Sequence, residues 1–264
     1  MLRSRKIEIL IGPKGRRGRA ISSLDVEGKM TKSSDSSTPN RCDLTIYNMS
    51  DDTRRLLSGP NVACVVRAGY DEMVDLFTGD VQYSSSIISG ADSETHIRVI
   101  DGFLEWRDRR CSLSFRPGTS KLDVIRSLIN QMKLPYGPIK NVPGTFANGF
   151  SFHGPVRDAL NLVLGRSGWS VQDGRLITDP TRNRQFIMSS DAGMIGSPEI
   201  QRIEHKKKKT ITELHVSCLL NGSILVGDSI RLQTRFLSGV STVKSVTHRL
   251  GDDWTTDIIG TWTS

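Results

Sequence analysis

The sequence predicts a mainly β protein with an α+β insert, in which two β-barrel-like units flank a small unit of two helices and a hairpin. Three observations predict it. Only 36% of the residues are hydrophobic while 24 are glycine, and long apolar runs are few, which favours many turns over a helical bundle. Short runs that alternate apolar and polar residues fill both ends of the chain. Between them lie two helical stripes and then Trp169–Thr178, two alternating runs around Asp173-Gly174, the pair that best tolerates the positive φ angles of a two-residue turn.

The elements follow in order. Residues 5–11 place Ile7, Ile9 and Ile11 on one face and Lys6, Glu8 and Leu10 on the other. A basic turn occupies 12–19. Leu24, Val26 and Met30 then alternate with Asp25, Glu27, Lys29 and Thr31, and after a polar loop at 33–40 Cys42, Leu44 and Ile46 alternate with Asp43, Thr45 and Tyr47. Ser50 caps a brief helical turn whose first residues, Asp51 and Asp52, suit the positive end of its dipole. Segments 62–68, 74–77 and 97–100 continue the strand pattern.

Around residue 106 the period changes. Ser120 caps a helix with Leu122, Ile125, Leu128, Ile129 and Met132 along one face, and Asp123 stands where a capping box carries Glu. A loop rich in Gly and Pro spans 135–149. A second helix starts with Pro155 at its first position, carries Val156, Ala159, Leu160, Val163 and Leu164 as its stripe, and ends at Gly165. Ser114-Phe115 and Ser151-Phe152 precede the two helices, a weak internal repeat of a strand–turn–helix unit. The stretch 193–199 reads as a loop punctuated by Gly and Pro. From 185 onward strands return: Ile230, Leu232 and Phe236 oppose Arg231, Gln233 and Arg235, and Trp254, Ile258 and Trp262 share a face. The expected domains are 1–105, 106–184 and 185–264.

At 264 residues the chain can bury a substantial core in two or three such units. No run approaches the roughly 18 apolar residues that span a bilayer, and the apolar run after the basic N-terminus is too short for a signal-peptide core. The reading is a soluble protein kept in the cytoplasm until assembly. Cys42, Cys64, Cys111 and Cys218 form no CxxC pair and no His lies at ligand spacing, so they read as reduced and structural, with no metal site and no cofactor.

The net charge of +8 permits nucleic acid or acidic protein partners. The basic side chains cluster at Lys14, Arg16, Arg17 and Arg19, and again at Lys206, Lys207, Lys208 and Lys209. The first cluster lacks the spacing of a phosphate-binding loop, because no Ser or Thr follows a Gly-Lys and a strand comes next. The lysine run carries no interleaved aromatics, so it offers no base stacking. Both read as solvated loops or as contacts with acidic neighbours, and for the lysine run DNA phosphates are a further alternative. His96, His153, His205, His215 and His248 are scattered, and Asp51-Asp52 and Asp252-Asp253 are turn and cap residues. No catalytic constellation stands out, and the chain reads as a non-enzyme.

Several short motifs, taken in order, resemble the baseplate (tail) hub proteins of contractile-tailed bacteriophages. They are Cys42–Ser50, Arg67–Tyr70, Leu76–Val81, Asp101-Gly102, Phe115–Ser120 before the first helix, Gly149–Gly154 before the second, Gly193–Glu199 and His248–Thr256. The Lys206–Lys209 run and the Arg16–Arg19 loop depart from that pattern. The resemblance implies two tail-tube-type β-barrel domains per chain and a homotrimeric ring of pseudo-sixfold symmetry. One face of such a ring meets the sixfold tail tube or a tube-initiator protein, and the other holds the threefold spike. Other baseplate (wedge) proteins and the tape measure are further implied partners, DNA transits the lumen without sequence-specific binding, and the location is the virion baseplate after assembly in the host cytoplasm. Two readings compete: a basic nucleic-acid-binding module, and a tail-associated peptidoglycan hydrolase.

Overall fold

The computed structural model describes residues 4–35, 39–205 and 208–263, with residues 89, 204, 205 and 208–210 described by backbone alone. Its first part runs β1 (Arg5–Pro13), β2 (Arg19–Ile21), β3 (Val26–Ser33), β4 (Arg41–Tyr47), α1 (Asp51–Leu57), β5 (Val62–Tyr70), β6 (Val74–Ser89) and β7 (Asp92–Ile100). The strand order is β2-β1-β5-β6-β7-β4-β3, antiparallel throughout. Alternation places Ile9, Ile11, Met30, Cys42, Leu44, Ile46, Cys64 and Val66 in one core, as the period of two requires. Ser50 caps α1 by accepting from the Thr53 N–H.

The middle part contains α2 (Phe103–Asp108), β8 (Arg110–Phe115), β9 (Thr119–Ser120), α3 (Lys121–Met132), β10 (Thr145–Phe146), β11 (Phe150–Pro155), α4 (Val156–Leu164), β12 (Ser170–Gln172) and β13 (Arg175–Ile177). Ser120 Oγ accepts from the Asp123 N–H at 3.1 Å, and α3 buries Val124, Ile125, Leu128, Ile129 and Met132 against Val156, Ala159 and Leu160 of α4. Pro155 sits at the cap of α4, one residue earlier than its sequence suggests, because it still belongs to β11. The two Ser-Phe segments lie in β8 and β11, which pair with each other: Phe115 opposes Phe150 and Ser114 opposes Ser151. The hairpin β12–β13 turns at Asp173 (φ 52°) and Gly174 (φ 73°), the left-handed pair that its Asp-Gly sequence calls for. Helix α2 has no periodic stripe to announce it. It starts after Gly102, whose φ of 60° redirects the chain out of β7.

The last part comprises β14 (Gln185–Met188), a 3-10 turn (Ser190–Ala192), β15 (Met194–His205), β16 (Lys208–Leu219), β17 (Ser229–Gln233), β18 (Ser238–Leu250) and β19 (Thr255–Thr263). A third core gathers Met188, Leu214, Val216, Cys218, Ile230, Leu232, Val243, Val246 and Ile258.

Four expectations need correction. The strand pairing closes no barrel among the described residues; both β parts join in one 13-stranded sheet. The cause is β18. Its first residues pair with β17, its last six with Gly28–Ser33 of β3, and a bulge at Val243/Ser245 lets one strand serve both. The edge that could have closed the first part on itself is thus taken by the second. Residues 194–199 are strand rather than loop, with Gly196 (φ 68°) inside a bulge of β15. Trp254 packs in the first core, and only Ile258 and Trp262 in the third, because the chain crosses between the cores before β19 begins. Phe236 does not share the buried face of Ile230 and Leu232. It lies beyond the end of β17, in the turn, and is 89% exposed.

Candidate functional site

The first basic cluster is a hairpin turn between β1 and β2. Gly12 and Gly18 let its two arms touch: a Cβ on Gly12 would lie 2.4 Å from the Gly18 Cα. Lys14 is committed within the chain, with Nζ 3.1 Å from Asp80 Oδ1 and 3.2 Å from Glu105 Oε1. Burial pulls its pKa down, but Asp80 and Glu105 outweigh that and hold it above the ordinary lysine value. Arg19 reaches Asp52 at 3.7 Å, whereas Arg16 and Arg17 are exposed and form no ion pair among the described residues. Lys206 and Lys207 lie outside the described residues. The backbone of Lys208 and Lys209 opens β16, opposite His205. β2 and β15 stand at opposite ends of the strand order.

The most concentrated chemistry is buried, and sequence reading did not point to it. Lys32 lies in the inward register of β3, two residues after Met30, with its side chain 2% exposed. Its Nζ is 2.5 Å from Asp173 Oδ1 and 5.9 Å from the centre of the Phe77 ring. Asp101 is fully buried. Its carboxylate accepts the N–H groups of Asp173 (2.6 Å) and Gly174 (2.7 Å), so it holds the turn of the β12–β13 hairpin. Asn40 donates to the Val171 carbonyl at 2.7 Å and to Gln172 Oε1 at 3.1 Å, and Gln172 donates to the Ser33 carbonyl at 2.6 Å. Burial pushes the Asp101 carboxyl up to about 6, against the pull of the Gly174 N–H. Burial and the Lys32 charge hold His248 down at about 3, while its Nδ1 pairs with Thr256 Oγ1 at 3.0 Å. The signal in the sequence was a lysine at an inward strand position. These groups fasten the middle part to the sheet, and at its edge Asn40 borders a depression of about 250 Å³.

Two of the open depressions contrast in character. One, of about 530 Å³, crosses β3, β4, β7 and β18 and brings Glu27, Lys29, Asp43, His96, Arg98 and Asp252 to one surface. Its charges are largely paired locally: Arg98 holds Asp43 at 2.8 Å and Tyr47 donates to Glu27 at 3.1 Å. The other, of about 390 Å³, is apolar and lies beside Ile187 and Leu219. No group of His, Cys, Asp and Glu among the described residues could hold a metal ion. The four cysteines are buried and unpaired, and burial raises the thiols, Cys64 and Cys218 to about 12.

No family model matches the sequence. No curated protein matches it either. Solved structures match over almost the whole chain. A tail protein from Neisseria meningitidis MC58 superposes with a TM-score of 0.68 at 13% identity, covering 97% of this chain and 96% of that one. The fold is that of phage tail proteins. The 43 kDa tail protein of prophage MuSo2 from Shewanella oneidensis gives 0.67 at 10% identity, with the same coverage of both chains. An E. coli component of the type VI secretion system, described as structurally similar to the T4 tail proteins gp27 and gp5, gives 0.63 at 10% identity over 96% of this chain and 76% of that one. In this tail-protein fold the buried Lys32–Asp101 cluster is a joint, and the exposed features include the Arg16–Arg17 turn, a polar depression and an apolar groove.

Proposed function

We propose that the chain is a structural virion protein, the trimeric baseplate hub of a contractile tail. Three copies form a ring that joins the sixfold tail tube to the threefold spike and lets DNA pass during injection. The observation that carries this reading is the tail-protein fold spanning nearly the full length of both this chain and its structural neighbours. The single 13-stranded sheet supports it, since a stiff wall with few free strand edges suits a ring around a lumen. Residues 1–105 and 185–264 are the two tail-tube-type units and 106–184 the middle domain. The basic loops contact acidic neighbours, among them the spike, the tube or its initiator, wedge proteins and the tape measure. In the first loop Arg16 and Arg17 make that contact, since Lys14 and Arg19 already hold carboxylates of their own chain, and in the second Lys206–Lys209 make it. The protein is assembled in the host cytoplasm, resides in the virion baseplate and is not an enzyme.

Electron microscopy of the purified chain, alone and with its candidate spike, tests the proposal. Threefold rings with an open centre, alone or only with spike, are the expected result. Compact monomers in both samples overturn it. In that case DNA affinity that falls steeply with salt identifies the nucleic-acid module, and peptidoglycan cleavage lost on changing one acid identifies the hydrolase.

A further inference from the structure

Two features in and around the last part fit one another and have no partner among the described residues. The first is the turn that joins β17 to β18. Thr234 and Leu237 close it from both sides: the Thr234 N–H donates to the Leu237 carbonyl at 3.0 Å, and the Leu237 N–H donates to Thr234 Oγ1 at 3.0 Å. Leu237 is anchored in the third core. On this fixed turn Phe236 stands 89% exposed, with the Arg235 guanidinium 5.4 Å from the ring centre. A lone exposed aromatic is ordinary. A preorganised turn presenting Phe beside Arg is the pair of residue types that anchors protein interfaces at low ordering cost.

The second feature is the apolar groove of about 390 Å³, lined by Tyr70, Phe186, Ile187, Met188, Leu219 and Ile224. Its rim keeps Ile187 55% and Leu219 37% exposed. A cavity of about 150 Å³ already admits a benzene ring, so this groove has room for a phenylalanine side chain and the turn behind it. Asp191, in the 3-10 turn next to the lining residues Ala192 and Gly193, is exposed and forms no ion pair among the described residues. Arg235 forms none either. Phe236 does not occupy the groove of its own chain, because its ring is in solvent.

We infer that the Phe236 turn of one copy seats in the Ile187–Leu219 groove of a second copy, with Arg235 meeting Asp191 at the rim. This rests on the hub reading and gives its ring a contact surface. Knob and groove are different surfaces of one chain, which suits a head-to-tail contact, the arrangement that generates closed rings when the rotation closes.

The test is sedimentation of the full chain at rising concentration. Wild type is expected to self-associate. Phe236→Ser, which alters only an exposed side chain, is expected to weaken that association by on the order of tenfold or more, as loss of an interface anchor does. Arg235→Asp is expected to weaken it as well, and adding Asp191→Arg to restore it. Circular dichroism checks that each variant folds. Association of Phe236→Ser equal to that of wild type overturns the inference, as does a wild type that stays monomeric at every concentration. Neither result touches the hub reading, which falls only if rings are absent with spike present. Weaker spike binding by Phe236→Ser, with self-association unchanged, also overturns the inference and gives the knob to the spike.

Discussion

Two joints hold the three parts of the chain together, and they do so in opposite ways. Where the first β part meets the last, the joint is a ladder of backbone hydrogen bonds between β3 and β18, backed by Leu220, Leu250 and Trp254 in the first core. Where the sheet meets the middle part, the joint is a knot of buried polar groups: Lys32, Asn40, Asp101, Gln172 and the turn at Asp173-Gly174. The ladder is redundant, since each residue pair adds a little and apolar contacts have no fixed direction. The knot is not. A buried polar group that loses its partner costs its full desolvation, so a single change acts on the whole joint.

The largest effect is therefore expected at the polar joint. Asp101→Leu strands the N–H groups of Asp173 and Gly174 and is expected to lower unfolding free energy by about 3–5 kcal/mol. Chemical denaturation reads the loss, and hydrogen exchange is expected to localise it to residues 169–178. Leu250→Ala, at the apolar joint, is expected to lose about 2–4 kcal/mol by leaving a cavity, with exchange in the middle part unchanged. If Leu250→Ala opens the hairpin as well, the two joints are one cooperative unit.

Acidity sharpens the comparison. Asp101 titrates near 6 rather than at its ordinary 3.8, so its contribution to stability is full below the lower value and lost as pH rises through the upper one. His248, held at about 3 rather than 6.5, runs the other way: its contribution is full above the upper value and lost as pH falls through the lower. Between pH 3.8 and 6 the two slopes oppose one another. Thermal unfolding across that window is expected to fall more steeply with acid in Asp101→Asn than in wild type, because only the histidine slope remains. The smallest effect is expected for Lys32→Met, within about 1 kcal/mol of wild type by calorimetry. Its partner Asp173 is 41% exposed and takes water instead, and His248 loses a repelling charge, which offsets the lost support of the Lys32 charge for ionised Asp101. A large loss would show that the lysine, not Asp101, closes the joint.

Much of the local architecture was legible. Ser50 and Ser120 cap the helices their neighbours require, Asp173-Gly174 turns where it must, and the parity of Cys42, Leu44 and Ile46 sets the inward face of β4. These are short-range effects, fixed by propensity, capping and period. Phe236 was misread because its parity continues that of Leu232, and nothing local marks where β17 stops. The buried joint escaped for a different reason. Lys32, Asp101 and Asp173 are far apart in sequence, and each alone passes for a solvated residue.

What the amino-acid sequence determined by itself is the order and type of the elements: β-rich ends around two amphipathic helices and a hairpin. Only the tertiary structure decided that one strand, β18, would join both ends into a single open sheet, and that three charged residues from β3, the end of β7 and the β12–β13 turn would meet in its interior. Local pattern encodes which face of a strand is buried. It does not encode which distant edge completes the ladder, because every strand edge offers the same N–H and C=O groups, and the choice among them is made by packing of the whole chain.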